Sequence, residues 1–378
     1  MRYLALATDY DGTLAHDGRV SDGTLDAIRS LRQSGRKVIL VTGRVLSDLE
    51  AVFSHFELLD SVVAENGAVL YNPSTREKQP LAGPPPQAFV EELRRRGVQP
   101  LETGDAIVAT RHPQETTVLE TIRDLGLEWQ VIFNKGAVMV LPSGINKRTG
   151  LCAALEAMAL SEHEVVGVGD AENDHAFLRS CECAVAVANA HPAIRETAAF
   201  TTQGDHGAGV AELIGLILNN QLDRRVPSRH WIPLGREGDR DVCVPAFGST
   251  LLVTGTSGSG KSTFVAGLLE TLIERRYQIC LIDPEGDYEG FPNTITIGDE
   301  KRPPSGDRVM QILHPPASSV VVNLIGIPVA ERPAFFAGLL PRLQEMRQRT
   351  GRPHWIVADE AHHMVGSAWA PASLELVN

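Results

Sequence analysis

Short apolar runs that stop at Asp, Thr or Gly alternate with helical patterns along most of this chain, and that rhythm leaves few folds open. Residues 4–8, 37–41, 62–64 and 165–168 are short and almost uniformly apolar, so they read as buried strands. Residues 21–34, 147–159 and 173–179 carry helical spacing between or beside them. A strand covered on both faces needs apolar residues without alternation, and strands alternating with helices predict a parallel sheet with helices on both sides. The 378 residues suffice for two such units.

The rhythm changes between about residues 80 and 142. Pro84, Pro85 and Pro86 lead into a helix over 87–96, a strand over 106–110, a helix over 113–125 and strands over 128–133 and 137–141. This is a compact α+β insert, read as a small cap carried on the sheet. A second shift follows at 219–240, where Asn219, Asn220, Arg224, Arg225 and Pro227 mark a linker running into a β-hairpin. A new α/β pattern opens with an expected strand at 251–254. The expected division is a core of 1–79 and 143–218, a cap of 80–142, a linker of 219–228 and a second α/β domain of 229–378.

The formal net charge of −12 argues against chain-wide affinity for nucleic acid or anionic membranes, while leaving room for a local basic patch. Cys152, Cys181, Cys183, Cys243 and Cys280 read as reduced, mostly buried thiols. Cys181 and Cys183 are separated by one residue rather than the two of a zinc knuckle, and no second pair follows. The N-terminus is too briefly apolar for a signal peptide, and no run reaches the ~18 apolar residues of a membrane span. A cytoplasmic protein without membrane contact is expected.

Asp9-Tyr10-Asp11-Gly12-Thr13 follows the first apolar strand directly, where a doubly wound sheet places its ligands. Two carboxylates two residues apart on extended backbone can converge on one ligand where the chain turns at Gly12. An aspartate nucleophile divides phosphate-ester hydrolysis into two steps through an aspartyl-phosphate, and its repulsion from an anionic ester calls for a Mg²⁺ and a fixed cation. Asp170 ends the strand at 165–168, and Asp174 stands four residues on. Lys147 opens the preceding helix, and Thr42-Gly43-Arg44 follows the strand at 37–41. Taken singly, Asp-x-Asp-Gly also suits a turn or a calcium-type loop, and Thr-Gly-Arg an ordinary strand-to-helix turn.

Together, Asp9-x-Asp11-Gly-Thr, Thr42-Gly-Arg, Lys147 and Gly169-Asp170-x-x-Asn173-Asp174 resemble the haloacid dehalogenase superfamily. The likeness is nearest to its Cof-type, or IIB, phosphatases, whose Glu65-Asn66-Gly67-Ala68 element and cap placement the chain shares over about residues 1–218. The resemblance implies a doubly wound sheet with a C2-type cap. It implies Asp9 as nucleophile and Asp11 as acid/base, with Thr42 and Lys147 holding the phosphoryl group. Mg²⁺ would be bound by Asp9, the Asp11 carbonyl and Asp170, with Asp174 in support, and Gly43, Arg44 and Asn173 would line the substrate site. To carry a proton, the Asp11 side chain is expected to point away from the metal, towards the cap. A cap of this size suits a small phosphorylated metabolite, with Arg111, His112, Asn134 and Lys135 either touching a sugar or carboxylate or standing as surface residues.

Further along, Gly255-Thr256-Ser257-Gly258-Ser259-Gly260-Lys261-Ser262 has the P-loop pattern and opens a helix expected over 263–275. Such glycines let backbone N–H groups wrap a β-phosphate, while Ser262, beside Thr263, suits Mg²⁺. Asp359 and Glu360 end an apolar strand expected at 354–358, placed to order the Mg²⁺ water shell and to activate water for ATP hydrolysis. With Asp283-Pro-Glu-Gly-Asp-Tyr288 after the strand expected at 278–282, these motifs resemble the HerA/FtsK-type ATPases. That resemblance implies ATP, homo-oligomers and, in some members, DNA. Only 18 residues follow Glu360, so the later strands, sensor and arginine finger are expected to be missing and turnover slow. Two readings follow: a metabolite phosphatase with an ATP-binding module, or an ATP-driven assembly or DNA-associated module whose phosphatase half is a sensor.

Overall fold

The structure is a computed structural model that describes residues 2–222, 230–256 and 258–364. Residues 223–228 of the expected linker therefore lie outside the described residues. The chain divides into two compact units, one mainly Arg2–Met158 and Glu162–Arg225, the other mainly Val226–Asn378.

The first unit begins β1 (Ala5–Thr8), α1 (Asp22–Gln33), β2 (Lys37–Val41), α2 (Leu46–Val52), β3 (Ser61–Ala64), β4 (Val69–Asn72) and β5 (Glu77–Pro80). The cap follows as α3 (Gln87–Arg95), β6 (Glu102–Thr103), β7 (Val108–Arg111), α4 (Glu115–Asp124), β8 (Trp129–Asn134) and β9 (Ala137–Pro142). The chain then returns through α5 (Lys147–Ala157), β10 (Val165–Gly169), α6 (His175–Ser180), β11 (Cys183–Ala186), α7 (Pro192–Thr197), β12 (Phe200–Thr201) and α8 (His206–Leu218).

Its eight strands lie in the order β12-β11-β10-β1-β2-β3-β4-β5. The six from β12 to β3 run parallel, and β4 and β5 are antiparallel additions. The helices form for local reasons. Ser21 caps α1 by accepting from Thr24 N, and Leu25, Ile28 and Leu31 make a buried stripe at helical spacing. From β1 the chain builds β2 and β3 to one side and β10, β11 and β12 to the other, which opens a crevice beyond the carboxyl ends of β1 and β10.

The cap is a four-stranded antiparallel sheet in the order β6-β7-β9-β8. Val108, Val138 and Val140 of the sheet pack with Phe89, Val90 and Leu93 of α3 and Val118 and Ile122 of α4. The strand expected at 106–110 starts at Val108 instead, because the N–H groups of Asp105, Ala106 and Ile107 donate to the Glu65 carboxylate rather than to a ladder.

The second unit has a hairpin of β13 (Ile232–Glu237) and β14 (Arg240–Val244), then α9 (Lys261–Glu274), β15 (Ile279–Asp283), β16 (Thr294–Ile297), α10 (Gly306–Leu313), β17 (Ser319–Asn323), α11 (Arg332–Thr350) and β18 (Trp355–Ala358). Four parallel strands lie in the order β16-β17-β15-β18. The two-residue period of β15 separates two cores. Ile279 and Leu281 pack with Leu268, Leu269 and Leu272 of α9, and Cys280 and Ile282 pack with α10 and α11 through Val309, Ile312, Leu313, Leu339 and Leu343. The strand expected at 251–254 is not formed: this stretch pairs with no described strand, and Leu252 is 85% exposed. A four-residue apolar run has strand propensity but does not by itself specify a ladder partner. No described helix is long and apolar enough to cross a membrane.

Candidate active site

Asp9 and Asp170 continue β1 and β10 at the crevice, held together by the Asp9 N–H donating to Val168 O at 3.0 Å. Between Asp9 and Asp11, Tyr10 turns into the core and donates to Gly18 O at 2.9 Å. The turn at Gly12 has φ +88°, and a Cβ there would come within 2.6 Å of Asp170 Oδ2, so only glycine fits. Thr13 Oγ1 donates to Asp170 Oδ1 at 2.9 Å, a contact that sequence reasoning missed. A hydroxyl two residues after Asp11 was the available signal.

Lys147 enters from the first turn of α5. Asn146 caps that helix by accepting from Arg148 N and Thr149 N at 2.9 and 3.2 Å. The Glu65-Asn66-Gly67 turn has positive φ at all three residues and fixes where α5 begins. A Cβ on Gly67 would stand 1.9 Å from Asn146 O, so the motif's glycine lets α5 approach closely enough to deliver its lysine. Lys147 is 1% exposed, and its Nζ lies 2.5 Å from both Asp9 Oδ1 and Asp174 Oδ1. The other Asp174 oxygen accepts the N–H groups of Asp170 and Ala171 at 2.9 and 3.0 Å. These bonds make a 3₁₀ turn of Glu172–Asp174 and delay α6 to His175.

Ligand atoms of Asp9, Asp170 and Asp174 all lie within 4.8 Å of one another. Burial first, then Asp174, pushes the Asp9 carboxyl up to about 8, although Lys147 pulls the other way. Burial lowers the Lys147 ammonium, but Asp174 and Asp9 outweigh it and hold its pKa above the usual lysine value. Such a cluster of anions is stable only around cations. The second cation comes from the cap: Lys135 Nζ lies 2.7 Å from Asp170 Oδ2 and 2.8 Å from Asp11 O.

The Asp11 carboxylate stands outside this cluster. Arg44 grips it with a two-pronged fork, Nε to Oδ2 at 2.7 Å and Nη2 to Oδ1 at 2.8 Å, and also reaches Asp48 at 2.5 Å. The partner of Asp11 is therefore Arg44 of the loop after β2, a fixed guanidinium being a strong partner for a half-exposed carboxylate. Thr42 is buried, with Oγ1 accepting from Arg44 N at 3.1 Å. Gly43 faces Met139 of the cap and Asn173, and Asn173 Nδ2 donates to Asn66 Oδ1 at 3.1 Å. Among the described residues, Asn66 Nδ2 and Asn173 Oδ1 are buried without a hydrogen-bond partner. Of the polar cap residues read as surface or substrate groups, Lys135 reaches the core site, whereas His112 pairs with Glu115.

In the second unit Gly258 and Gly260 have φ +76° and +91°, and Lys261 opens α9. Lys261 Nζ folds back on its own loop, donating to Gly255 O and Thr256 O at 3.1 and 3.3 Å, and Ser262 and Thr263 are exposed. Ser257 lies outside the described residues. Asp359 N donates to Ile282 O at 3.1 Å, Glu360 has φ +40°, and its carboxylate lies 3.1 Å from His362 Nδ1.

Residues 6–118 and 104–214 match the family model described as haloacid dehalogenase-like hydrolase. Residues 242–333 match the model of the central domain of the helicase HerA. A phosphoglycolate phosphatase of Methanothermobacter thermautotrophicus is 32% identical over 219 residues, covering 56% of this chain and 96% of that protein. The phosphoglycolate phosphatase of Methanosarcina acetivorans is 27% identical over 228 residues, covering 58% and 99%. Among solved structures, a haloacid dehalogenase-like hydrolase from Bacteroides thetaiotaomicron shares the fold with a TM-score of 0.50 at 21% identity, covering 57% of this chain and 99% of that one.

Proposed function

The chain belongs to the haloacid dehalogenase-like hydrolases, and from that premise we propose that its first unit hydrolyses a small phosphate monoester of the phosphoglycolate type, with Asp9 as the nucleophile. The observation that carries this reading is Asp9 itself, buried at the switch point of the sheet with Oδ1 held by Lys147. With Oδ1 fixed, Oδ2 is the oxygen left to attack phosphorus. The ester P–O bond breaks, the leaving alkoxide takes a proton and an aspartyl-phosphate forms. Water then attacks that phosphorus, gives up a proton, and frees phosphate and the Asp9 carboxylate.

Asp11 is the group proposed to give and take that proton, and its carboxylate is held by the Arg44 fork. Arg44, Thr42, Gly43 and Asn173 are the residues proposed to meet the substrate, and the buried, unsatisfied Asn66 Nδ2 and Asn173 Oδ1 support a polar ligand beside Asn173. Mg²⁺ would be held by the carboxylates of Asp9 and Asp170 and by the Asp11 carbonyl. A lysine ammonium within 2.8 Å of two of them supports a cation seat. Mg²⁺ held there would neutralise the phosphoryl oxygens. Asp174, whose oxygens are engaged by Lys147 and two N–H groups, orients the seat.

For the second unit the proposal is ATP binding at Gly255, Gly258, Gly260, Lys261, Ser262 and Thr263, with Asp359 and Glu360 as the acidic partners. The left-handed glycines before α9 and the match over 242–333 support it. That match also favours the second reading, an ATP-driven module with the phosphatase as sensor. Phosphate-ester turnover that strictly requires ATP would favour that one. A reducing cytoplasm is part of this proposal, in keeping with five cysteines, an odd number, in a chain of 378 residues.

The test is phosphate release from phosphoglycolate, sugar phosphates and p-nitrophenyl phosphate by the full chain and its Asp9→Asn variant. The variant should fall below about a hundredth of the parent rate, beyond the lower bound for loss of one acid or base. Turnover above that level would refute Asp9 as nucleophile.

A further inference from the structure

Lys135 stands at the tip of the β8–β9 hairpin of the cap, in a left-handed residue of φ +46° followed by Gly136 at +83°. This turn projects the side chain out of the cap and into the core site. About half of that side chain remains exposed, yet its ammonium makes two short contacts, to Asp170 Oδ2 and to the Asp11 carbonyl. Both partners are oxygens of the cation seat, and they lie 35 and 124 residues away in the chain. A lysine so placed cannot keep its position when a divalent ion takes the same oxygens, because two cations would then share one donor set at contact distance.

Arg44 and Lys147, the other cations of the site, have carboxylate partners that a metal need not take: Asp11 and Asp48 for Arg44, Asp174 for Lys147. Lys135 alone of these three loses its carboxylate partner to the ion. Displaced, its ammonium remains tethered to the hairpin tip and stays on the cap side of the crevice, where the part of a substrate beyond the phosphate must lie.

We propose that Lys135 is the cap's anion-recognition residue, stored on the cation seat until a divalent ion releases it to meet a second negative group of the substrate, such as a carboxylate. Ion binding, lysine release and substrate selection are thereby one linked event. The substrate half rests on the phosphatase reading, whereas the ion half rests only on the donor set proposed there, Asp9, Asp170 and the Asp11 carbonyl.

The experiment compares the full chain with Lys135→Ala and Lys135→Arg. Mn²⁺ affinity is measured by calorimetry without substrate. Lys135→Ala should bind Mn²⁺ about ten-fold more tightly, because the resident competitor is gone, and Lys135→Arg should not exceed the parent. Affinity within two-fold of the parent for Lys135→Ala would overturn the storage on the seat, provided circular dichroism shows a folded variant. The second readout compares the Michaelis constants for phosphoglycolate and for p-nitrophenyl phosphate at saturating Mn²⁺. Lys135→Ala should raise the first about ten-fold and leave the second within two-fold, with Lys135→Arg partly restoring it. An equal change for both esters would overturn the recognition role. If the parent hydrolyses neither ester, the phosphatase reading fails together with the recognition half, while the Mn²⁺ result still decides storage on the seat.

Discussion

Replacing Lys147 by Met tests the electrostatics of the site without touching a reacting atom. Methionine nearly matches the volume of the lysine stem, so the change removes the ammonium and little packing. That ammonium is fully buried and 2.5 Å from each of two buried carboxylates, with a third, Asp170, in the same cluster. Breaking a buried pair by removing one partner leaves an uncompensated charge and costs about 3–5 kcal/mol. For a unit of this size that is roughly 6–20 °C in melting temperature. Proton uptake limits the loss, because the Asp9 carboxyl is already pushed up to about 8 and Lys147 is the group pulling it down. An acid whose pKa is raised by folding favours the folded state at low pH, and that advantage fades as pH rises from its unfolded value, near 3.8, through the folded one. The penalty of Lys147→Met should therefore be smaller at pH 5 than at pH 9. Scanning calorimetry of the full chain in chelator, at both pH values, reads this directly. A destabilisation under about 1 kcal/mol, or one that does not grow with pH, would mean that Lys147 is not the counter-charge of this cluster.

Two further outcomes follow from burial and from separate cores. Burial pushes the Cys280 thiol up to about 12, so at pH 8 a disulfide reagent should label the half-buried Cys152 and Cys243 first, and labelling of Cys280 at an equal rate in the folded chain would contradict its packing in β15. Lys261→Ala should abolish binding of a fluorescent ATP analogue while phosphate-ester turnover stays within two-fold, and loss of that turnover in a folded variant would show that the two units act as one.

Much of this protein is written locally. Uniform apolar runs define β1, β2, β3 and β10, and the polar residue that ends each run puts Asp9, Thr42 and Asp170 at strand ends, because strand length and side-chain period are short-range properties. Four such motifs in order were enough to indicate the family. The same locality explains the failures. Residues 251–254 have the composition of a strand, but a strand exists only through its partner, and no local feature says whether this run will find one. Glu65 was legible as part of a motif, though not as the acceptor of three cap N–H groups some 40 residues away. Asp11 could be assigned to the site, but its capture by Arg44 depends on how two loops meet. Above all, the sequence by itself determined which charges the site contains, and the tertiary structure decided which of them touch. Lys147 meets Asp9 across 138 residues, and Lys135 reaches Asp170 from a cap hairpin that in sequence is an ordinary exposed turn. Charge pairing falls off within a few ångströms in a partly wet crevice, so contacts of this kind belong to the folded chain and not to its order of residues.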